Sequence, residues 1–217
     1  MGIAHTDGDR TRTLGEEIAN SVSHGVGLLM ALIAVPLLIG EAARHGQAQT
    51  IVGVSVFGTT ILLLFLSSTL YHAFPEGRAK HLFEILDNSA IFLMIAGTYT
   101  PFTLGLLGGV WGWSLFGVIW GMALAGILLT AIGGLRFPVL SACLCLAMGW
   151  LVVLLLRPLA DRMPWAGLLL IIAGGVAYTL GIVFYAARRL PYHHLIWHLF
   201  VLTGTALHFL AIFRFAT

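Results

Sequence analysis

The sequence predicts an all-α membrane protein, a single bundle of seven transmembrane helices with the N-terminus in the cytoplasm and the C-terminus outside. Three observations predict it. Of 217 residues, 59% are hydrophobic and only 9% charged, against ~25% charged in a soluble domain, and the mean hydropathy is +0.97. Apolar stretches of spanning length recur seven times. The basic residues between them are distributed unevenly. So few charges cannot cover the outside of a soluble domain of this length, so a soluble enzyme, a disordered chain and a nucleic-acid binder are excluded. The net charge of +2 implies no polyanionic partner.

The spans are expected near 22–40, 50–72, 87–107, 113–132, 138–156, 165–187 and 194–213. Each approaches the ~20 residues that cross ~30 Å of hydrocarbon, and each must be helical because lipid offers its backbone no partners. The connections are short and no repeat is evident, so one domain fills 1–217, with a short polar segment at 1–21. That segment has no apolar core of the kind a signal peptide carries. Its stretch GEEIANSVSH is expected to start as a short helix on the membrane surface. Pro101, in AGTYTPF (96–102), removes a backbone donor from the third span and is expected to bend it. Trp111, Trp113, Trp150, Trp165 and Trp197 lie near span ends and read as interfacial anchors.

Arg10, Arg12, Arg78, Lys80, Arg136, Arg188 and Arg189 fall on the side of the N-terminus, seven in all, against four on the other side, Arg44, Arg157, Arg162 and Arg214. The positive-inside rule therefore sets the orientation. A multi-pass protein of the cell membrane, in contact with membrane lipids, is the expectation. Cys143 and Cys145 are two residues apart in an apolar run, point to different sides of a helix and read as packing residues.

Ionisable groups inside spans are costly and so mark function, at ~2.5–3.5 kcal/mol for a charge at mid-helix. His72 ends the second span, Asp87 opens the third, and His194 and His198 open the seventh, all on the cytoplasmic side. Four residues apart, His194 and His198 share a helix face. Three imidazoles with a further polar group make a zinc-type donor set; the alternative is neutral histidines bonded between helices. Ser68, one turn deeper than His72, is placed either to bond a ligand or water at the ion or to bond its own helix carbonyl. Asp87 reads as a base that takes a proton from water at the ion, as a helix N-cap, or both. His208 lies ten residues past His198, ~15 Å along the helix, and is expected to pack or hydrogen-bond elsewhere. His24 either lines the same cavity or sits at headgroup level. His5, His45, His81 and His193 are expected in solvated tails or connections, as is the lone lysine, Lys80; without a lysine in a span, retinal chemistry is excluded.

The pieces SSTLYH (67–72), LDNSAIFLMIAGTYTPF (86–102), AMGWLV (147–152) and HHLIWHLFVLTGTALHF (193–209) together resemble the bacterial hemolysin III family, the prokaryotic branch of the progestin and adipoQ receptor family. The resemblance covers nearly the whole chain. It implies a seven-helix fold with a cytoplasmic N-terminus and a zinc held by His72, His194 and His198, with Asp87 and Ser68 at the family's aspartate and serine positions. The long N-terminal domain of the animal receptors has no counterpart here. A likeness of that family to alkaline ceramidases implies hydrolysis of a lipid amide or ester. The family's name implies cytolysis, and its bacterial members imply a role in lipid homeostasis. Three readings therefore stand: a zinc-dependent intramembrane lipid hydrolase with Asp87 and Ser68 as catalytic residues, a pore-forming cytolysin, and a non-enzymatic receptor or regulator with structural zinc.

Overall fold

A computed structural model describes residues 12–133 and 136–217; His5 and Arg10 lie outside the described residues. The helices are α1 (Leu14–His45), α2 (Ala48–Ala73), α3 (Arg78–Thr100), α4 (Gly109–Gly133), α5 (Pro138–Trp150), α6 (Leu156–Ala160), α7 (Trp165–Ala186) and α8 (His193–Phe215). A π-helical turn, Pro101–Leu107, continues α3, and a 3-10 stretch, Leu151–Leu155, joins α5 to α6. Among the described residues, seven helical segments are long and apolar enough to span a membrane. The protein is a seven-helix, multi-pass membrane protein.

The segments run past the apolar stretches that predicted them. The segment GEEIANSVSH is not a separate surface helix: α1 is continuous for 32 residues, about 48 Å at 1.5 Å per residue. Its start is fixed by a capping box, in which the Thr13 hydroxyl accepts from the Glu16 backbone N–H and the Glu16 carboxylate accepts from the Thr13 N–H at 2.8 Å. That arrangement satisfies two donors the first turn leaves open. Likewise α3 begins at Arg78, so Asp87 stands in its third turn and caps nothing. The stretch RAKHLFE consists largely of good helix formers, which extend the helix beyond its apolar part. Lys80 and His193 are not in solvated connections either. Lys80 is buried in the first turn of α3, and His193 is buried at the first residue of α8.

Pro101 acts through a π-helical turn rather than a simple bend. The Gly108 N–H reaches back five residues to the Thr103 carbonyl at 3.0 Å, and Trp120 Nε1 donates to the Thr100 hydroxyl at 3.2 Å. In the fifth span, the Tyr99 hydroxyl donates to the Met148 and Gly149 carbonyls, each at 2.8 Å, where the α-helical ladder gives way to the 3-10 stretch.

The strongest associations join α7 to α8, α1 to α2 and α2 to α3, and α1 also packs on α8. The buried stripe of α1 includes Glu16, Asn20, His24, Gly27 and Ala31, at the three- and four-residue spacing of one helix face. A Cβ at Gly27 would lie 2.6 Å from the Leu202 Cδ2 methyl and 3.2 Å from Phe65, so a larger residue there would push the Leu202 side chain aside where α1 packs between α2 and α8. Those three helices carry most of the polar groups described next.

Candidate metal centre

His72, His194 and His198 come together as expected. One ring nitrogen from each lies within 4.8 Å of those of the other two, and all three residues are buried. The ring centroids are 5.0 Å apart for His72–His194 and His72–His198 and 4.7 Å for His194–His198. The pair on α8 meets because residues i and i+4 stack along a helix. His72 joins them from the last turn of α2.

The outer nitrogens have partners. His72 Nδ1 donates to the Glu17 carboxylate at 2.6 Å. His198 Nδ1 donates to the Asn20 carbonyl at 3.2 Å and lies 3.0 Å from the Ser23 hydroxyl. A neutral imidazole that donates through Nδ1 keeps a lone pair on Nε2. The Nε2 of His72 is buried without a hydrogen-bond partner, as is Nδ1 of His208, but only His72 belongs to a group of three histidines whose ring nitrogens converge. Imidazoles whose far nitrogens are oriented by carboxylate and carbonyl are the arrangement of metal-binding histidines. The donor set therefore fits a metal ion and suits zinc, copper, iron or nickel.

Arg12 stands beside this group. Its guanidinium donates to the Tyr71 hydroxyl at 3.1 Å, lies 3.7 Å from Glu17 and approaches His194 Nδ1 at 3.5 Å. Burial works against its charge, but Tyr71 and Glu17 together hold its pKa above the ordinary value, so it stays cationic. Lys80 Nζ is 3.5 Å from Glu17.

Ser68 is fully buried and does not bond its own helix carbonyl; Ser67 does that, toward Leu63 and Leu64. The Ser68 hydroxyl instead lies 2.7 Å from His24 Nδ1 and lines an apolar cavity together with Asp87. His24 lines the same cavity. It is 3% exposed, and its ring lies on that of His198 with centroids 3.5 Å apart and planes 7° from parallel. His208 is remote from the ion group, as expected, and its Nε2 donates to the Ile171 carbonyl at 3.0 Å.

Two cavities meet at the site. One, of about 110 Å³, is mostly apolar and extends from His24, Ser68, Asp87 and His198 to Phe102, Leu159 and His208. The other, of about 400 Å³, is more polar and is lined by Arg12, Tyr71, Glu84 and His194 among others. Asp87 and Trp197 line both. Trp197 is thus a wall of the cavities and packs over Gly181, whereas Trp111, Trp113 and Trp165 are exposed as anchors would be. Cys145 also lines both cavities, and neither cysteine is bridged.

Sequence reasoning allowed His24 a place at the cavity, which it has, but did not see that Glu17 and Asn20 join it on one face of α1. Their spacing of three and four residues on one helix face was the available signal, and it was obscured by the placement of the first span at residue 22.

Fold and site together define a seven-helix membrane protein with a buried three-histidine group able to hold a metal at one end of an apolar cavity. Residues 12–209 match the haemolysin-III related family, and the chain belongs to it. Its relatives include a "Hemolysin-3 homolog" of Bacillus subtilis, 44% identical over 92% of this chain and 94% of that protein. "Hemolysin-3" of Bacillus cereus is 42% identical over 93% and 92%. The human "Monocyte to macrophage differentiation factor" is 28% identical over 98% and 89%.

Proposed function

We propose that this protein is a zinc-dependent intramembrane hydrolase acting on a lipid amide or ester. The observation that carries the reading is the unpartnered, buried Nε2 of His72 within a three-histidine group, set beside Asp87 and Ser68 at the head of an apolar cavity. His72, His194 and His198 would hold the zinc. Bound there, zinc supplies Lewis acidity that polarises a carbonyl and acidifies water.

The chain's own residues do the rest. The apolar cavity binds the acyl chain and keeps bulk water from it. Asp87 takes the proton of the attacking water and returns it to the leaving nitrogen or oxygen as the C–N or C–O bond breaks. The Ser68 hydroxyl, which lines the same cavity as Asp87, helps to position the water. The N-terminal side faces the cytoplasm of the cell membrane, with lipid as substrate and surroundings.

Metal analysis of purified protein tests the first half: about one zinc per chain is expected, mostly lost in His72→Ala. Release of fatty acid from ceramide-like and phospholipid substrates tests the second half. Equal rates for wild type and His198→Ala would exclude zinc chemistry. The relatives' name favours one rival, cytolysis through a pore. A single-chain ion path needs polar groups along its length, and here they gather at one end; liposomes that leak dye at modest protein loading would favour the rival.

A further inference from the structure

We propose that the larger of the two cavities is a headgroup subsite, and that Arg12 and Arg188 fit it to a lipid whose headgroup is acidic, a carboxylate or a phosphate. This rests on the hydrolytic reading above and names the class of substrate. Two features carry it: the ion group stands between two unlike cavities, and the outer cavity is lined by guanidinium groups.

His198 lines the apolar cavity and His194 the polar one, and Asp87 lines both. The ion group therefore stands in the wall between them. A carbonyl held there sends its acyl chain into the apolar cavity and its leaving group into the other. In hydrolysis, water adds its oxygen to the carbonyl carbon, the C–N or C–O bond breaks, and the proton ends on the departing nitrogen or oxygen. The headgroup thus departs on the polar side. That cavity measures about 400 Å³, far more than the ~10–15 Å³ that one water needs. It has room for a headgroup as well as for the attacking water.

Two cations line this cavity, Arg12 from just before α1 and Arg188 from just after α7. Arg12 is held in place. Its Nη1 donates to the Tyr71 hydroxyl at 3.1 Å, and its guanidinium carbon lies 5.8 Å from the centre of the Tyr71 ring. A guanidinium carries five N–H donors, so this fixed fork keeps donors for an oxyanion, which it meets with two parallel hydrogen bonds. The acids nearby are engaged. Glu84 accepts from the Tyr71 hydroxyl at 3.3 Å and lies 3.6 Å from His81 Nδ1. Glu17 lies 3.7 Å from Arg12 but also 3.5 Å from Lys80, so one carboxylate serves two cations. An acidic headgroup is drawn to both arginines; a basic one is repelled, and a neutral one gains nothing from either charge.

The test uses full-length protein in phosphatidylcholine nanodiscs and palmitoyl amides of glycine, phosphoethanolamine, ethanolamine and ethylenediamine, which share one chain and differ in charge. Binding is measured by calorimetry, with and without zinc, beside release of palmitate. At least one of the two acidic amides should bind about 10-fold tighter than the neutral ethanolamine amide, the effect of a charged hydrogen bond. The basic ethylenediamine amide should bind no better than the neutral one. Arg12→Gln and Arg188→Gln should each lower the affinity for the acidic amides far more than for the neutral one, a selectivity that a merely structural role would not show. Arg188 is exposed, so its variant decides the matter even where Arg12→Gln fails to fold. N-acetylglycine has the acid without the chain and should not displace palmitoylglycine; displacement at equal concentration would mark a site for a free anion and overturn the lipid assignment. Equal affinity for all headgroups, a preference for the basic one, or an equal loss for acidic and neutral amides in Arg188→Gln would also overturn the proposal. If wild type cleaves none of the amides yet prefers the acidic ones through both arginines, the hydrolytic reading fails and the headgroup subsite stands.

Discussion

Glu17 on α1 accepts a 2.6 Å hydrogen bond from His72 Nδ1 on α2. The contact fixes the ring so that its other nitrogen faces the remaining two histidines, and it raises the basicity of that nitrogen. Glu17→Gln can still accept the bond but loses the negative charge. Zinc affinity is expected to fall about 10- to 100-fold, with the helical content unchanged. Competition with a chelator of known affinity measures it, and an unchanged affinity would show the carboxylate to be irrelevant.

Arg12 should have the opposite effect. Its guanidinium lies 3.5 Å from His194 Nδ1 and 3.7 Å from Glu17. It repels a dication bound by His194 and competes with His72 for the carboxylate. Both effects have the same sign. Arg12→Gln is therefore expected to tighten zinc by about 0.5–1 kcal/mol, or ~2- to 5-fold, allowing for solvent screening at this partly exposed pair. The same competition assay, run at low and high salt, checks it; weaker binding would refute the electrostatic account.

Glu16 joins the starts of two helices. One carboxylate oxygen accepts from the Thr13 N–H and the other from the Tyr192 N–H, both at 2.8 Å. Tyr192 has φ 56, a left-handed conformation that costs a non-glycine residue about 1 kcal/mol or more. The buried carboxylate holds that turn directly before His193 and His194. Glu16→Ala should destabilise the protein by about 2–3 kcal/mol through the lost cap and the orphaned amide. A lowered melting temperature in detergent, with zinc bound less tightly, is the expected readout.

His208 serves as the control. It bonds Ile171 from a point distant from the ion group, so His208→Phe should leave zinc content at the wild-type value and cost about 1 kcal/mol of stability. Loss of zinc from this variant would show that the deep end of the cavity is coupled to the metal centre.

Much of the architecture was legible in the sequence because lipid imposes a simple rule. A segment that spans must be helical, apolar and about 20 residues long, and seven such stretches can be counted without knowing how they pack. The i, i+4 spacing brought His194 and His198 to one face, and the matching end of the second span supplied His72. Hydropathy does not report where a helix ends once it leaves the apolar layer. The first turns of α1 and α3 were therefore missed, with Glu17, Asn20 and the true position of Asp87 among them.

The sequence by itself determined the number of spans, their helical character and the three histidines that meet. Tertiary structure alone decided which nitrogens of those histidines face inward, because that depends on Glu17 and the Asn20 carbonyl arriving from a different helix. It also decided that His24 lies flat on His198 and reaches Ser68. The physical reason is that periodicity along one helix says which residues share a face. Only the approach of α1 to α2 and α8, where Gly27 faces Leu202 and Phe65, says what that face meets.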